Sequence, residues 1–200
     1  MDQKNLADLY GLDLIPGSRA LEALESAEAR IQTPFPPLGE RFDLLEETGQ
    51  ACLAMWAGDD ERPFHGAHVQ LERPLNSPQS LTRPHPSILI AGSGERRTLP
   101  LVARYADACN LRPGPDIPRQ LDLLHRLCDA EQRDYDAIEK SVPFGFDVGE
   151  DGSKAGAVVD QLRWLAGMGV QTVLGWVVGV DRITPLEVMG REVIPAVAEV

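Results

Sequence analysis

A glycine-rich turn near the middle of the chain has the residue types and spacing of a phosphate-binding site. A short apolar run over residues 87–91 ends in Gly92 and Gly94, and a helical pattern begins directly afterwards. Glycine lets a ligand approach the main chain, and the first N–H groups of a helix have no partner inside the helix. Side chains that could add charge and a hydroxyl group follow at Arg96, Arg97 and Thr98.

The same residues also fit an ordinary turn between a strand and a helix. In that interpretation the two glycines only shape the turn, and the arginine pair lies in solvent. The GxG pattern lacks the third glycine of the dinucleotide-binding fingerprint, so the motif by itself is weak. The spacing alone leaves both interpretations open.

Two further clusters of polar residues follow predicted strands. Asn110 and Arg112 could hold a carbonyl or carboxylate group, although asparagine at a strand end is equally common as a turn former. Asp147, Glu150 and Asp151 could act as a base or hold a cation, but the same run also fits a turn followed by a helix cap. Both interpretations of each cluster are kept.

The remaining candidates are aromatic or histidine side chains. Trp176, followed by Asp181, could line a pocket for a ring-shaped ligand or could belong to the core. Surface or packing roles are favoured for His65, His68 and His85, because a metal site would need further ligands and a supporting shell. We therefore predict no metal site. The sequence contains no nucleophile-plus-base motif and no P-loop, so an enzyme of this sequence would depend on a bound organic cofactor.

The elements that must position these residues alternate regularly after Pro86. Apolar runs predict strands over residues 87–91, 108–111, 142–148 and 172–178. Helical spacing predicts helices over residues 96–105, 117–133, 154–167 and 185–200. Such alternation implies an α/β fold with a parallel sheet, in which ligands bind at the carboxyl ends of the strands. We expect one shared pocket formed by residues 92–94, 110–112, 147–150 and 176–181.

The residues before Pro86 are less regular. Residues 38–56 predict a helix with an apolar stripe that should belong to the core, so Leu45→Asp is expected to destabilise the fold by burying an unpaired charge. Residues 61–86 are rich in proline and predict a long irregular loop with one short extended piece near residues 68–71. Residues 1–32 predict a solvated helical segment, and prolines at 34, 36 and 37 make a stiff joint after it.

Composition excludes several classes of partner. The chain has 19 Lys+Arg against 31 Asp+Glu, a net charge of −12, which argues against nucleic acid as a partner. Its three cysteines are odd in number and widely spaced, which favours free thiols in a reducing compartment. No apolar run approaches the ~18 residues of a membrane span, and no signal-peptide layout opens the sequence. We predict a cytoplasmic protein that binds neither nucleic acid nor membranes.

Five segments of the chain resemble the luciferase-like monooxygenase superfamily, and most of all its branch that uses the deazaflavin coenzyme F420. The segments are FPPLGERFDLLEE (35–47), RPFHGAHVQLERPLNSPQ (62–79), RPHPSILIAGSGERRTLPLVARYADACN (83–110), RDYDAIEKS (133–141) and PLEVMGREVIPAVAE (185–199). The resemblance covers residues 33–200. It implies a (β/α)8 TIM-barrel oxidoreductase that uses reduced F420 or FMN for hydride transfer to a small organic substrate, or for its oxygenation.

The resemblance also implies roles for particular residues. The turn of residues 92–98 should hold the cofactor phosphate, with cofactor-binding residues Gly92, Ser93, Gly94, Arg96 and Thr98. Residues 61–86 would be the family's insertion near the mouth of the active site. A whole barrel takes about 250 residues and eight βα units, whereas this chain shows four units that resemble the last four. Catalytic residues are therefore left unassigned, because family members keep them in the first half.

The resemblance divides the chain into two domains and leaves three alternative functions open. Residues 1–32 form an N-terminal helical segment outside the resemblance, and residues 33–200 form the C-terminal part of a barrel. The chain is then a truncated and impaired F420-dependent oxidoreductase, a non-catalytic remnant or binding module, or an FMN-dependent monooxygenase. A half barrel has two unpaired strand edges and an exposed apolar interior, which a homodimer or the N-terminal segment could cover.

Overall fold

The computed structural model describes residues 36–58 and 62–198. These residues divide into two compact units, one ending at Ile88 and the other beginning at Leu89. The predicted helical segment of residues 1–32 lies outside the described residues, so the domain boundary at residue 33 stays a prediction.

The first unit contains one long helix and a small hairpin. Helix α1 spans Leu38–Trp56, as predicted. Strands β1 (Phe64–His65) and β2 (Gln70–Leu71) pair antiparallel, so the predicted extended piece is confirmed together with a partner strand that was not predicted. The Glu47 carboxylate accepts hydrogen bonds from the N–H groups of the hairpin loop, namely those of Ala67, His68 and Val69. The His68 N–H has the largest effect in lowering the pKa of Glu47.

The prediction that α1 contributes its apolar stripe to the core is wrong. The buried residue of α1 is Ala51, whereas Leu45 is 47% exposed. An aspartate at position 45 would therefore remain in contact with water, and the expected burial of a charge does not occur. Helical periodicity identifies the apolar face of a helix, but it does not show what covers that face.

The second unit contains four strands and the helices that follow them. The strands are β3 (Leu89–Ala91), β4 (Ala108–Asn110), β5 (Glu139–Phe146) and β6 (Thr172–Val177). The first three helices are α2 (Thr98–Tyr105), α3 (Ile117–Glu131) and α4 (Ala155–Gly167). The closing helix consists of α5 (Thr184–Val188), a π-helical turn (Met189–Val193) and α6 (Ile194–Val197). This order confirms the predicted succession of four βα units.

The strands form one parallel sheet in the order β3-β4-β5-β6. Since each strand lies beside its neighbour in the chain and a helix follows every strand, the unit has the architecture of half of an eight-stranded (β/α)8 barrel. Within the described residues β3 and β6 each have one strand neighbour, so both edges of the sheet are open. The expectation of two unpaired edges is confirmed.

Strand β5 begins three residues before its predicted start, at Glu139 instead of Val142. Its opening residues are polar, which conceals the strand in the sequence, but Lys140 and Ser141 are both buried. The Lys140 amino group donates a hydrogen bond to the Tyr135 carbonyl at 2.8 Å and lies 3.9 Å from the centre of the Tyr135 ring. These contacts compensate for the burial of a charge.

The core lies between the sheet and its helices. Ile90, Cys109, Val142 and Val173 point from the four strands toward this helix layer. Neighbouring strand positions must then point to the other face, because side chains alternate along a strand. All three cysteines are free thiols, as predicted, and burial raises the pKa of Cys109 to about 11.

The other face of the sheet, which would line the inside of a barrel, is partly open to solvent. Leu89, Leu174 and Trp176 lie on this face and are each about half exposed. The expected exposed apolar interior is thus confirmed. Among the described residues, no helix combines the length and the apolar character needed to cross a membrane.

Candidate functional site

The glycine turn lies at the carboxyl end of β3 and leads into the first turn of α2. Gly92 has a φ of +122°, a conformation that residues with a Cβ rarely adopt. At Gly94 a Cβ would come within 2.8 Å of the Thr98 hydroxyl oxygen. The turn therefore needs glycine at both positions, and it brings its main chain against the Thr98 side chain.

The backbone of this turn has unused hydrogen-bond donors. The N–H groups of residues 93–96 make no hydrogen bond within the described part of the chain, whereas the Leu99 N–H binds the Gly94 carbonyl at 3.0 Å. Successive free N–H groups before a helix form a concave site for an anion, and the helix dipole favours negative charge there. The geometry of the turn therefore suits a phosphate group.

The charged side chains around the turn differ in whether they already form an ion pair. Arg96 is exposed, and it forms no ion pair or hydrogen bond with another described residue. The Glu95 carboxylate, which would repel an anion, is paired with the Arg119 guanidinium from α3. Asp116 also approaches Arg119, at 3.7 Å. Arg96 is thus the side chain of the turn that can move onto a bound anion.

The loop after β4 is hydrogen-bonded to the glycine turn. The Gly92 N–H donates to the Asn110 carbonyl at 2.9 Å, and the Arg112 N–H donates to the Ser93 hydroxyl oxygen at 2.8 Å. Ser93 therefore fixes the turn to its neighbour, in addition to its predicted contact with phosphate. The structure brings these two predicted loops together at one edge of the sheet.

Asn110 continues this network towards β5. Its side-chain amide donates to the Ser141 hydroxyl at 3.0 Å, and that hydroxyl donates to the Cys109 carbonyl at 2.8 Å. Asn110 is the last residue of β4 and not part of a turn, so the turn-former interpretation does not apply. Ser141 was missed by the sequence analysis, because its position inside a strand was not predicted.

Two of the carboxylates after β5 are paired with cationic side chains. Asp147 accepts the Gly149 N–H at 3.0 Å and pairs with Lys154 at 2.5 Å, and the Lys154 contact is the main cause that lowers the Asp147 pKa. The Arg182 side chain, 2.9 Å from the Glu150 carboxylate, lowers its pKa in the same way. Both groups are therefore held as carboxylates, which weakens them as proton acceptors.

Asp151 completes a tight turn in the same loop. Its carboxylate accepts the Ser153 N–H at 3.0 Å, and hydrogen bonds from Ser153 lower the Asp151 pKa. The turn interpretation is therefore confirmed. Helix α4 begins later, at Ala155, without a side-chain cap, so the predicted helix cap is wrong. The Asp151 carboxylate binds the Ser153 N–H inside the turn, and such a local hydrogen bond competes with capping of the helix that follows.

We expect Asp147→Asn to reduce stability near neutral pH but not in strong acid. The folded protein lowers the Asp147 pKa below its ordinary value of 3.8, so the ionised form stabilises the fold above that pH, and this contribution disappears as the pH falls through the folded value. The effect should be small because the pair is exposed to solvent. Urea unfolding at pH 7 and below pH 3 measures it, with Asp160→Asn on α4 as the control. A deficit of equal size at both pH values would contradict the ion-pair explanation.

Trp176 does not belong to the core, because it is 45% exposed on the open face of the sheet. The pocket-lining interpretation of this residue is the one that remains. The Glu150–Arg182 pair joins the loop after β5 to the loop after β6. All four predicted loops therefore follow the carboxyl ends of neighbouring parallel strands.

Two of the three candidate histidines, His65 and His85, make local contacts within the first unit. His65 hydrogen-bonds with the Gln70 side chain at 3.0 Å, and His85 stacks on Trp56 with ring centres 5.9 Å apart. Within residues 36–58 and 62–198, no group of three or more His, Cys, Asp or Glu side chains is arranged to hold a metal ion.

A cavity lies at the opposite end of the sheet from the glycine turn. Its volume is about 570 Å³, and it is lined by the first residues of β5 and β6, including Lys140 and Thr172, and by apolar side chains of α4. Because ligands of parallel α/β sheets bind at the carboxyl ends of strands, this cavity lies at the end where such ligands do not bind.

Comparison with known proteins agrees with the fold. The family model described as luciferase-like monooxygenase matches residues 13–185, a range that includes part of the stretch before residue 33. No curated protein matches the chain. The structure of riboflavin lyase (RcaE) with modified FMN and substrate riboflavin is similar, with 18% identity, a TM-score of 0.56, and coverage of 68% of this chain and 36% of that protein.

Two further similar structures are of proteins described as F420-dependent. An F420-dependent secondary alcohol dehydrogenase, in complex with an F420-acetone adduct, has 13% identity, a TM-score of 0.69, and coverage of 82% of this chain and 64% of that protein. The coenzyme F420-dependent tetrahydromethanopterin reductase of Methanopyrus kandleri has 13% identity, a TM-score of 0.59, and coverage of 73% and 61%. The chain thus spans between about a third and just under two thirds of these proteins, and at such identities the likeness shows the fold.

Proposed function

This chain belongs to the luciferase-like monooxygenase family, and we propose that it binds coenzyme F420 through the turn of residues 92–98. In this proposal it is an oxidoreductase that acts on a small organic substrate by hydride transfer or oxygenation. Two of its structural neighbours are named as F420-dependent enzymes, which supports F420 as the first candidate. The free cysteines fit a reducing compartment, in line with the predicted place in the cytoplasm.

The observation that carries the proposal is the run of unbonded N–H groups in residues 93–96, directly before α2. A cofactor phosphate would accept these hydrogen bonds, and Gly94 would let it approach the main chain beside Thr98. The residues present therefore fit a phosphate group. When bound, the reduced deazaflavin supplies the hydride, while the turn holds and orients its phosphate end.

The side chains of the turn have separate tasks in this proposal. Arg96 neutralises the phosphate charge, and the Thr98 hydroxyl donates a hydrogen bond to it. Ser93 keeps the turn fixed to the loop after β4 through the Arg112 N–H. Arg119 pairs with Glu95 and so reduces the repulsion between that carboxylate and the phosphate.

FMN is the second candidate cofactor, because it also ends in a phosphate and a structural neighbour was solved with modified FMN. A non-catalytic binding module is the alternative from a different class, because the described sheet supplies four of the eight strands of a barrel. Such a module would bind cofactor without turnover, whereas the oxidoreductase would oxidise reduced F420 in the presence of substrate.

We expect Arg96→Ala to weaken F420 binding by roughly 10- to 100-fold, because a charged hydrogen bond contributes about 1.5–3 kcal/mol. Fluorescence polarisation of F420, titrated with the purified chain, measures the affinity, and FMN is titrated in parallel. Arg126→Ala is the matched control, since Arg126 is an exposed arginine on α3 and away from the turn.

The outcomes separate the proposals. Saturable binding of F420 that Arg96→Ala weakens and Arg126→Ala leaves unchanged supports the phosphate site. Tighter binding of FMN than of F420 would replace the first candidate by the second. A folded chain that binds neither cofactor would contradict the proposal.

A further inference from the structure

The open face of the second unit carries large apolar side chains at both ends of the sheet. On this face Leu89 of β3 is 49% exposed and Leu174 of β6 is 50% exposed. Glu139 is the one charged residue among the strand positions of this face. A face of this kind on a soluble chain marks a surface that another protein surface covers.

Further apolar side chains are exposed in the residues that follow β6. Ile183, directly before the closing helix, and Leu186 and Ile194 within it are exposed. Val178 and Val180, between β6 and this helix, are exposed as well. The second unit thus exposes large apolar side chains both on the open sheet face and in the residues after β6.

Neither edge strand of the sheet, β3 or β6, is protected by proline or by a charged side chain. In the described part of the chain each of them also has a free row of backbone donors and acceptors. Because every strand of the sheet is parallel, the free edge of β6 fits the free edge of β3 in a second copy.

We propose that two copies of this chain join β6 to β3 across a twofold axis and close an eight-stranded parallel barrel. One rotation satisfies both edges at once, and eight strands are the number at which side chains fill a barrel interior. Leu174 and Trp176 of one copy then pack inside the barrel with the partner's Leu89. The glycine turns of both copies lie on the same rim, so the pocket beside each turn is shared.

Leu174→Glu tests the interface, and Leu81→Glu is the matched control. Leu81 is fully exposed and lies outside the sheet, so it accepts the same charge without affecting the proposed contact. Size-exclusion chromatography with light scattering is expected to give a dimer for the parent and for Leu81→Glu, and a folded monomer for Leu174→Glu. A monomeric parent would overturn the proposal.

Crosslinking tests which strands meet. Leu89→Cys and Leu174→Cys are placed in separate chains with Cys52→Ser, mixed, and treated with a short bis-maleimide. Neighbouring strands lie about 4.8 Å apart, so a covalent dimer is expected from the mixture and not from Leu174→Cys alone. Crosslinking of Leu174→Cys with itself would show that β6 meets β6, and it would overturn the barrel arrangement. Because neither experiment involves cofactor, failure here is independent of the proposed function.

Discussion

Phe144→Ala is expected to lower the free energy of unfolding by about 3–5 kcal/mol. Phe144 lies in β5, is 1% exposed, and faces the helix layer among the core residues. Its ring lies 4.9 Å from the ring of Phe146 in a tilted arrangement, so truncation removes an aromatic pair and leaves a cavity. The sheet and helices around it are too well packed to fill that space fully.

Urea unfolding followed by circular dichroism measures this change. Phe146→Ala is the comparison, because Phe146 is only partly buried at the end of the same strand and should cost less. An equal loss for the two variants would show that the core is not centred on Phe144. A loss below about 1 kcal/mol for Phe144→Ala would contradict the packing of β5 described above.

Gly175→Ala is expected to be the most harmful addition of a single methyl group. Gly175 of β6 lies opposite Phe144 of β5, and a Cβ at this position would overlap the Phe144 carbonyl group. A backbone atom cannot rotate away as a side chain can, so the two strands must separate locally. Overpacking of a core costs about 1–3 kcal/mol and sometimes more, and we expect the upper part of that range.

Gly156→Ala is the matched control for this substitution. Gly156 lies in α4, where an added Cβ meets nothing within 4 Å. Alanine is favoured over glycine in a helix by up to ~1 kcal/mol, so this variant should be as stable as the parent or more stable. Thermal unfolding of both variants makes the comparison, and a Gly175→Ala variant as stable as Gly156→Ala would refute the close approach of β5 and β6.

Local sequence signals predicted the second unit well, because each element there carries its own pattern. The apolar run before Gly92 and the helical spacing of Leu121 and Leu124 can each be recognised from a short stretch of neighbouring residues. The start of β5 was missed, because Lys140 and Ser141 are polar residues whose burial depends on Tyr135 and Cys109. Such tertiary compensation leaves no trace in hydrophobic periodicity.

The first unit shows the opposite case. The periodicity of α1 predicted the helix correctly, but Leu45 is about half exposed and not in the core. The Glu47 carboxylate accepts hydrogen bonds from three N–H groups of the hairpin loop. These bonds could not be predicted, because they join residues about twenty positions apart in the sequence. Long-range partners depend on packing that a single sequence does not encode locally.

The candidate site was predicted in outline and corrected in detail. The topology rule placed the four loops at one edge of the sheet, and the contacts of Ser93 with Arg112 and of Glu150 with Arg182 join them in pairs. Of the carboxylates that could have been bases, Asp147 and Glu150 are paired with cations, which neither residue type nor spacing could reveal. The binding roles of the turn residues stay predictions that rest on the family and on the free N–H groups.

The measurement that tests the central claim most directly is an amide-resolved NMR titration of the ¹⁵N-labelled chain with F420. We expect the largest shift changes at the N–H groups of residues 93–96, because these donors lack partners in the described structure. Inorganic phosphate at higher concentration should move the same signals. If saturating F420 leaves these amides unchanged and instead moves those around the cavity of Lys140 and Thr172, the glycine turn is not the cofactor site.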